Sequence, residues 1–365
     1  MSGPERGYLL VADITGYTSY LADTELEHAQ STLTDLLNLL LERTRPPLVV
    51  SRTAGDAVIS YAFDAAFVTG QTFVEVIEGT YVAFRRAIDL MVLNTTCTCN
   101  ACRRIDSLDL KFFVHHGEFA IQRLGDHDEL VGSDVVVLHR LLKNQVVDET
   151  GITAYCLWTD AAIAALGLED MRASLVDHQE SHEHLGEIQT WIQDLGPVWQ
   201  ARQDEPSVDL EGVKVIVSGE IEIARPPEIV WDHLSNLESR LVLMGSEGLD
   251  VTDLRDGRVG ETSSFVCFHG KGAQTRQTII EWRPFERVVT LDRPSALGGK
   301  VLAYCIYALE PTSTGTRFSE TLAGASGPLL KRAMMSGMLR MQRKSWQADI
   351  EAFRDRVEGG SVAPA

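Results

Sequence analysis

Two stretches near the start of the chain decide its fold: VADITGYTSYL at residues 11–21 and RTAGDAVISYAF at residues 52–63. The first contains Asp13 directly after an apolar run that predicts a buried strand. The second contains Asp56 beside Gly55, between two apolar runs, which is typical of a hairpin tip. Because both carboxylates lie at strand ends, they can converge into one site.

A converging pair of carboxylates suits Mg²⁺ or Mn²⁺, hard cations that prefer oxygen ligands and share their coordination with substrate phosphates. Backbone N–H groups at the start of the next predicted helix offer those phosphates an anion site. Taken singly, Asp13 is better explained as a cap and Asp56 as a turn residue, so the pair carries the interpretation. The residues predicted to contact nucleotide here are Ile14, Thr15, Gly16, Tyr17 and Thr18.

The charge balance restricts the partners of the protein. The 365 residues include 33 Lys and Arg against 52 Asp and Glu, a formal net charge of −19. Phosphate binding along a nucleic acid needs a basic face, so a general nucleic-acid surface is excluded. No basic stretch followed by an apolar one opens the chain, and its apolar runs are too short to span a bilayer. We therefore predict a cytoplasmic protein without a transmembrane segment.

Hydrophobic periodicity predicts two domains. Residues 1–200 follow the order strand, long helix, hairpin, helix, strand and helix, which is an α/β arrangement. Residues 201–212 are polar and aperiodic, as expected of a linker. Residues 213–357 predict a strand, a short helix, several antiparallel strands and a long closing helix, and residues 358–365 predict a disordered tail. The predicted fold class is α+β.

The first domain resembles the class III nucleotide cyclases. The two aspartate segments are similar to the family's metal-binding motifs, VHHGEF at residues 114–119 to its strand motif, and VGSDVVVLHRLL at residues 131–142 to its helix motif. The resemblance covers residues 7–197 in the right order. Around Cys97 the sequence is more similar to an uncharacterised bacterial branch of that superfamily. A ferredoxin-like cyclase domain is therefore implied.

The resemblance implies a role for each residue that falls on a motif position. Asp13, Asp56 and the Ile14 carbonyl would hold two metals that bind the triphosphate and activate the ribose 3′-hydroxyl. Arg52 and Glu129 stand where the family has its base-reading lysine and aspartate. An arginine replaces a point charge by a planar fork, so the base preference stays open.

Of two helix positions that the family uses in catalysis, one keeps the family's residue and the other does not. Arg140 stands at the family's transition-state arginine, which is retained, whereas Val136 stands at its ribose-orienting asparagine. Valine has no polar side-chain atom, and an orienting contact can be worth orders of magnitude in rate. The turnover of the site is therefore an open question.

The family builds its site across the interface of a head-to-tail dimer. A homodimer is therefore implied if the site turns over. By that analogy, Asp13, Arg52 and Asp56 of one chain would meet Glu129 and Arg140 of the other chain.

Cys97, Cys99 and Cys102 form a C-x-C-x-x-C cluster. Thiolates this close suit tetrahedral Zn²⁺, which needs a fourth ligand. Without an export signal, metal ligands or reduced thiols are expected rather than disulfides. Either zinc binds in a structural role or the loop carries reduced cysteines without a metal. The candidates for the fourth ligand are Cys156, His115, His116 and His127.

The second domain resembles START-like helix-grip proteins, which include polyketide cyclase-like and lipid-transfer domains. The resemblance rests on VSGEIEIARPPEIVWDHLSN at residues 217–236 and on the closing strand and helix of residues 319–353. Such domains hold an apolar small molecule or lipid between a curved sheet and a long helix. Each candidate lining residue is explained equally well as core packing. The candidates are Phe265, Phe268, Trp282, Tyr304, Tyr307, Met334 and Met338.

Two functions follow from these observations. One is a nucleotide cyclase that converts a nucleoside triphosphate to a 3′,5′-cyclic nucleotide and is tuned by a hydrophobic ligand of the second domain. The other is a catalytically degenerate nucleotide-binding domain paired with a carrier or sensor for a hydrophobic molecule. The carboxylate pair and Arg140 favour the enzyme, whereas Val136 and the changed base readers favour the binding module.

Overall fold

The computed structural model describes residues 4–22, 25–124, 127–183, 185–203, 208, 210, 212–254, 257–295, 301–341 and 343–359. The chain divides into two compact units, Met1–Glu205 and Pro206–Ala365. Among the described residues, an eight-stranded sheet forms the first unit and a seven-stranded sheet the second. Helices accompany both sheets, so the predicted α+β class is confirmed.

The first unit follows a ferredoxin-like plan. Its strands are β1 (Glu5–Thr15), β2 (Val49–Ala54), β3 (Ala57–Phe63), β4 (Asp109–Leu124), β5 (His127–Val131), β6 (Tyr155–Thr159), β7 (Val176–His182) and β8 (Gly186–Asp194). Its helices are α1 (Tyr17–Ala22), α2 (Leu26–Thr44), α3 (Gly70–Asn94), α4 (Asn100–Arg103), α5 (Ser133–Leu141), α6 (Val146–Thr150), α7 (Asp160–Leu166) and α8 (Gly196–Gln203). The sheet order is β2-β3-β1-β4-β6-β8-β7, with β5 on β4. β4 and β6 are parallel.

Strand β1 extends beyond the apolar run that predicts it. Asp13 pairs with Ala57 of β3 on one side and with Lys111 of β4 on the other. The pairing with β4 continues through Ile14 and Thr15, so residues 13–15 belong to the strand. Asp13 is therefore held by two strands rather than by a loop.

A close contact at Gly117 fixes helix α5 to strand β4. A Cβ atom at Gly117 would lie 2.3 Å from Cγ of Asp134, so this position requires glycine. The Asp134 carboxylate accepts a hydrogen bond from the Glu118 N–H at 2.7 Å and lies 3.2 Å from Nε2 of His115. The first turn of α5 is thereby anchored to the sheet.

The second unit is an antiparallel sheet with two helices after its first strand and two helices after its last strand, as expected of a helix-grip fold. Its strands are β9 (Val215–Ile223), β10 (Gly248–Asp253), β11 (Ser264–His269), β12 (Ala273–Arg283), β13 (Arg287–Pro294), β14 (Leu302–Pro311) and β15 (Thr316–Ser326). Its helices are α9 (Pro227–Ser235), α10 (Leu237–Leu243), α11 (Leu329–Met341) and α12 (Arg343–Gly359). The sheet order is β10-β11-β12-β13-β14-β15-β9.

Three boundaries differ from the prediction. The single closing helix is two helices, α11 and α12. Helix α8 ends at Gln203 and so includes the first residues of the predicted linker. Helix α12 ends at Gly359, so the first two residues of the predicted tail are helical, and residues 360–365 lie outside the described residues.

Candidate functional site

Asp13 and Asp56 lie together where β1 ends and the β2–β3 hairpin turns. The N–H of Ile14 donates to the carbonyl of Asp56 at 3.2 Å, which ties the hairpin tip to β1. Burial, followed by the charge of Asp56, raises the pKa of Asp13 to about 6. Burial also raises the pKa of Asp56. Two partly buried carboxylates that repel each other are stabilised by a cation between them.

Thr15 adds a second indication of a ligand beside this carboxylate pair. Its Oγ1 atom is buried and makes no hydrogen bond among the described residues. Buried hydroxyls are normally satisfied, so a bound group or water is expected to complete this one. Two carboxylates and a free hydroxyl form the oxygen-rich donor set that a hard divalent cation prefers.

Helix α1 follows the pair but is short. It has six residues, and Gly16 precedes it with φ 87°. A Cβ at Gly16 would lie 3.1 Å from the Ser107 carbonyl oxygen, so glycine suits this turn. The aligned dipoles of six residues make a weaker anion site than the prediction assumed. Tyr17 is half-buried and Thr18 is exposed.

Lys111 is a neighbour of the pair that the sequence analysis missed. It stands directly across the β1–β4 ladder from Asp13, and its charge lowers the pKa of Asp13. Burial lowers the pKa of Lys111 itself, while Asp13 and Asp109 oppose that shift. Lys111 therefore offsets part of the negative charge of the pair.

The predicted base readers form an ion pair with each other. Nη1 of Arg52 on β2 lies 3.3 Å from Oε1 of Glu129 on β5. His139 of α5 is close enough to interact with both charges. Burial lowers the pKa of His139, the Arg52 charge lowers it further, and the Glu129 charge opposes this shift. The dimer analogy separated Arg52 and Glu129 onto different chains. In the structure of the single chain, the β4–β5 hairpin brings Glu129 to Arg52 on β2.

The two remaining cyclase positions lie on the exposed side of α5. Val136 is 48% exposed, and Arg140 follows it one turn later, also exposed. Arg140 forms no ion pair with any described residue. The guanidinium is therefore available to a ligand or to another chain.

The cysteine cluster gains a fourth member from helix α2. His28, Cys97, Cys99 and Cys102 place their ligand atoms within 4.8 Å of one another. Nδ1 of His28 lies 3.2 Å from Sγ of Cys99 and 3.6 Å from the sulfurs of Cys97 and Cys102. A tetrahedral zinc with Zn–S of about 2.3 Å and Zn–N of about 2.0 Å requires N···S separations of roughly 3.6 Å. These four residues, the Cys/His cluster, match that geometry.

None of the predicted fourth ligands with a described side chain joins the cluster. Cys156 is buried in β6. His115 lies 3.0 Å from Oγ1 of Thr159, and His116 lies 2.8 Å from Oδ1 of Asp64. The side chain of His127 lies outside the described residues. His28 was missed because it is 69 residues before Cys97, so only folding brings them together.

Backbone and side-chain contacts hold the cysteine loop against α1 and α2. The N–H of Ala101 donates to Glu25 at 3.0 Å, and its carbonyl accepts from the Tyr20 hydroxyl at 3.1 Å. The N–H of Cys102 points to Sγ of Cys99 at 3.4 Å. The Cys/His cluster therefore joins the loop before β4 to the helices that follow Asp13.

The second unit contains a cavity of about 600 Å³ between its sheet and helices α11 and α12. Apolar wall residues include Val217, Leu322 and Leu339. Tyr307 and Met338, both predicted pocket residues, line it. Such a volume is suited to a small organic molecule.

Five predicted pocket residues lie elsewhere. Tyr304 and Phe268 lie one position from the buried Cys305 and Cys267, so strand alternation turns them to the other face of the sheet. Phe265 and Trp282 pack in the core, where the Trp282 ring lies 4.5 Å from that of Trp231. Met334 is 58% exposed on α11.

The two units match different families of known proteins. Residues 214–358 match a family model described as polyketide cyclase / dehydrase and lipid transport. Residues 33–150 match a family model described as a protein of unknown function, DUF2652. The uncharacterized protein Rv2561/Rv2562 of Mycobacterium tuberculosis is 33% identical over 112 residues, which are 31% of this chain and 50% of that protein. The chain thus spans about half the length of this curated relative.

Solved structures with a similar backbone fold include adenylyl cyclases, which align with the N-terminal half of this chain. A bacterial light-regulated adenylyl cyclase is 11% identical, with 55% of this chain and 98% of that chain covered and a TM-score of 0.39. The adenylyl cyclase CyaB from P. aeruginosa is 15% identical, with 53% and 100% covered and a TM-score of 0.37. Protein MLL2253 from Mesorhizobium loti is 15% identical, with 40% and 98% covered and a TM-score of 0.32. Across the described residues, no helix combines the length and apolar composition needed to cross a bilayer.

Proposed function

We propose that the first unit binds a nucleoside triphosphate with Mg²⁺ or Mn²⁺ at Asp13 and Asp56 and cyclises it to a 3′,5′-cyclic nucleotide. The observation that carries the proposal is the convergence of these two carboxylates, close enough for Asp56 to raise the pKa of Asp13. The cation would supply Lewis-acid polarisation of the phosphates and a lower pKa for the ribose hydroxyl.

The residues of the chain contribute binding and orientation. The exposed Arg140 offers a planar fork of donors that matches phosphate oxygens and the charge that develops there during cyclisation. Arg52 and Glu129 can contact a nucleotide base only if their ion pair breaks and each forms a contact with the base instead. The Thr15 hydroxyl supports binding near the phosphates.

A second candidate is a nucleotide-binding unit that does not turn over. It is favoured by Val136, which presents an apolar surface on α5 one turn before Arg140. It is also favoured by the Arg52–Glu129 ion pair, because base recognition must compete with that contact.

The deciding assay incubates the purified protein with each of four nucleoside triphosphates and Mn²⁺ and measures 3′,5′-cyclic product. We expect product from at least one, lost in Asp13→Ala and kept in Asp35→Ala, which removes an exposed carboxylate of α2. Triphosphate binding without any product would support the second candidate. Product that survives Asp13→Ala would contradict the metal assignment.

For the second unit we propose binding of a hydrophobic small molecule or lipid in the 600 Å³ cavity, as carrier or sensor. The match to a lipid-transport family model supports this role. A neutral solvatochromic dye should bind with a blue shift in the full-length protein. Absence of any dye binding would contradict the proposal. If the ligand tunes the first unit, saturating dye should change the rate of cyclic product formation.

We further propose that the Cys/His cluster holds one structural Zn²⁺. All four positions are filled by protein ligands, which leaves no open site for a reactant. Elemental analysis of protein purified without chelators should find one zinc per chain, lost in His28→Ala and in Cys99→Ser but kept in His182→Ala. Zinc that persists in both ligand variants would refute the assignment.

A further inference from the structure

The floor of the C-terminal cavity carries carboxyl groups that a purely hydrophobic ligand would leave unpaired. Asp292 of β13, Glu320 of β15 and Asp349 of α12 all line the cavity. The lining includes no lysine or arginine from the described residues. His269 is the one basic side chain that the described lining contains. The cavity therefore has an acidic floor beneath apolar walls.

Glu320 is the group whose bonding is incomplete. It is 4% exposed, and its Oε1 atom accepts from the weak Sγ–H donor of Cys305 at 3.4 Å. A side-chain hydrogen bond from Trp346 to the carboxyl lowers the pKa of Glu320, against the larger effect of burial. Its Oε2 atom is buried and has no hydrogen-bond partner within the described part of the chain. An unsatisfied buried carboxyl oxygen costs free energy unless a ligand supplies a donor.

Asp292 shows what a satisfied carboxyl in this cavity looks like. Its oxygens accept from Nε2 of Gln277 at 3.0 Å and from Oγ1 of Thr290 at 2.7 Å. The buried guanidinium of Arg240 also lowers its pKa. Glu320 has no such cation, and the charges of Asp292 and Asp349 raise its pKa further. The cavity thus has an uncompensated acid at one position.

We propose that the cavity binds an amphipathic amine, with its apolar body along the walls and its ammonium group donating to Oε2 of Glu320. This inference rests on the proposed ligand-binding function of the second unit and names the class of ligand. The ammonium supplies both the missing donors and the missing positive charge. The anionic head of a fatty acid or a phosphate ester supplies no positive charge and would lie beside Asp292 and Asp349.

Binding of the amine releases a proton. Burial raises the pKa of Glu320 to about 8, so at neutral pH the empty cavity holds a protonated carboxyl. The ammonium ligand brings its own proton, the Glu320 carboxyl gives its proton to solvent, and an ion pair forms. The titratable and charged groups around Glu320 are Asp292, Cys305, Tyr307, Asp349 and His269, with Cys267 and Arg240 behind the wall.

The test titrates the full-length protein with decylamine, 1-decanol and decanoate below their aggregation concentrations, by calorimetry. We expect decylamine to bind at least about tenfold tighter than the other two, as a charge-assisted hydrogen bond allows. Glu320→Gln should weaken decylamine about tenfold or more and leave 1-decanol within about twofold. Glu220→Gln, an exposed carboxylate on β9 of the same sheet, should change none of the three.

Proton release provides a readout that needs no variant. Decylamine titrations of the wild-type protein at pH 7, in buffers of different ionisation enthalpy, should show about one proton released per amine bound. Decanoate binding as tight as decylamine would overturn the inference. Equal losses of decylamine and 1-decanol in Glu320→Gln would also overturn it, since a neutral donor would then suffice. Dye binding without any amine preference would refute this inference alone, whereas absent dye binding would refute the cavity function.

Discussion

Asp13 and Glu320 are carboxyls whose pKa burial raises, to about 6 and about 8, in two different units. Their surroundings differ in one respect. Asp13 lies beside a second carboxylate and a lysine, and we propose that a divalent cation binds between the two carboxylates. Glu320 lies in a cavity with apolar walls whose described lining has no lysine or arginine, and we propose that one ammonium group pairs with it. The residues around each acid, rather than the acid itself, indicate the class of ligand.

Val136 provides a gain-of-function test at the same scale. Val136→Asn places an amide on the exposed face of α5, one turn before Arg140, where it can orient the ribose. We expect the rate of cyclic product formation at saturating Mn²⁺ and nucleotide to rise about tenfold or more. Val136→Ala, which removes bulk without adding a polar atom, should give no such increase. An Asn variant no faster than the Ala variant would argue against this role.

Glu320 also predicts how the second unit responds to pH. Its pKa in the folded protein, about 8, lies above the ordinary value of 4.5, so across this interval the folded state keeps a proton that the unfolded state has lost. The contribution to stability is therefore complete below pH 4.5 and is lost as pH rises toward 8. Asp292, with a pKa raised to about 6, acts with the same sign.

Thermal unfolding at pH 5, 6.5 and 8 measures this effect. Between pH 5 and pH 8, the melting temperature of Glu320→Gln should fall less than that of the wild-type protein. At pH 8 the second unit of the variant should melt about 3 °C or more above that of the wild type. A Gln variant whose melting temperature falls as steeply as that of the wild type would show that another group controls the response.

Among the elements, strand β4 has the largest influence on the candidate site. It presents Lys111 to Asp13, carries the hairpin that delivers Glu129 to Arg52, and anchors the first turn of α5. The anchor depends on the absence of a side chain at Gly117. Helix α5 in turn carries the residues of the ribose and transition-state positions.

Gly117→Ala tests this anchor. The new Cβ would meet Asp134 at 2.3 Å, so α5 or β4 must shift. We expect a loss of unfolding free energy on the order of 1–3 kcal/mol in denaturant titrations. In an Asp134→Ala background the same change should cost clearly less, because the clashing carboxylate is gone. An equal loss of unfolding free energy in both backgrounds would show that the new Cβ does not clash with Asp134.

At the scale of the whole molecule, the question is whether Arg140 of one chain and the carboxylate pair of another chain form one site. Asp13→Ala and Arg140→Ala should each be inactive alone. If the active protein is a homodimer with a site across its interface, co-expression gives mixed dimers with one intact site, and about a quarter of the wild-type activity should return. Co-expression of Asp13→Ala with Asp56→Ala should restore none, because both changes affect the same half-site. No recovery from the first pair would argue for a site within one chain.

The sequence by itself determined the local features: the strand before Asp13, the hairpin at Asp56 and the cysteine spacing. Strand β3, Ala57–Phe63, begins directly after Asp56, as expected of the hairpin. These features follow from apolar periodicity and turn residues, which act over a few positions and are therefore visible in a linear pattern.

Only the tertiary structure decided which distant residues complete each site. Lys111 faces Asp13 through strand register, Arg52 meets Glu129 through the β4–β5 hairpin, and His28 joins the cysteines through helix packing. Strand alternation turns Glu320 into the cavity, where its Oε2 atom has no hydrogen-bond partner among the described residues. A register shift of one residue would turn each strand side chain to the opposite face, and no local pattern records that choice. The carboxylate pair was therefore predictable from the sequence, whereas its neighbours, the place of His28 among the cysteines and the acidic floor of the cavity were not.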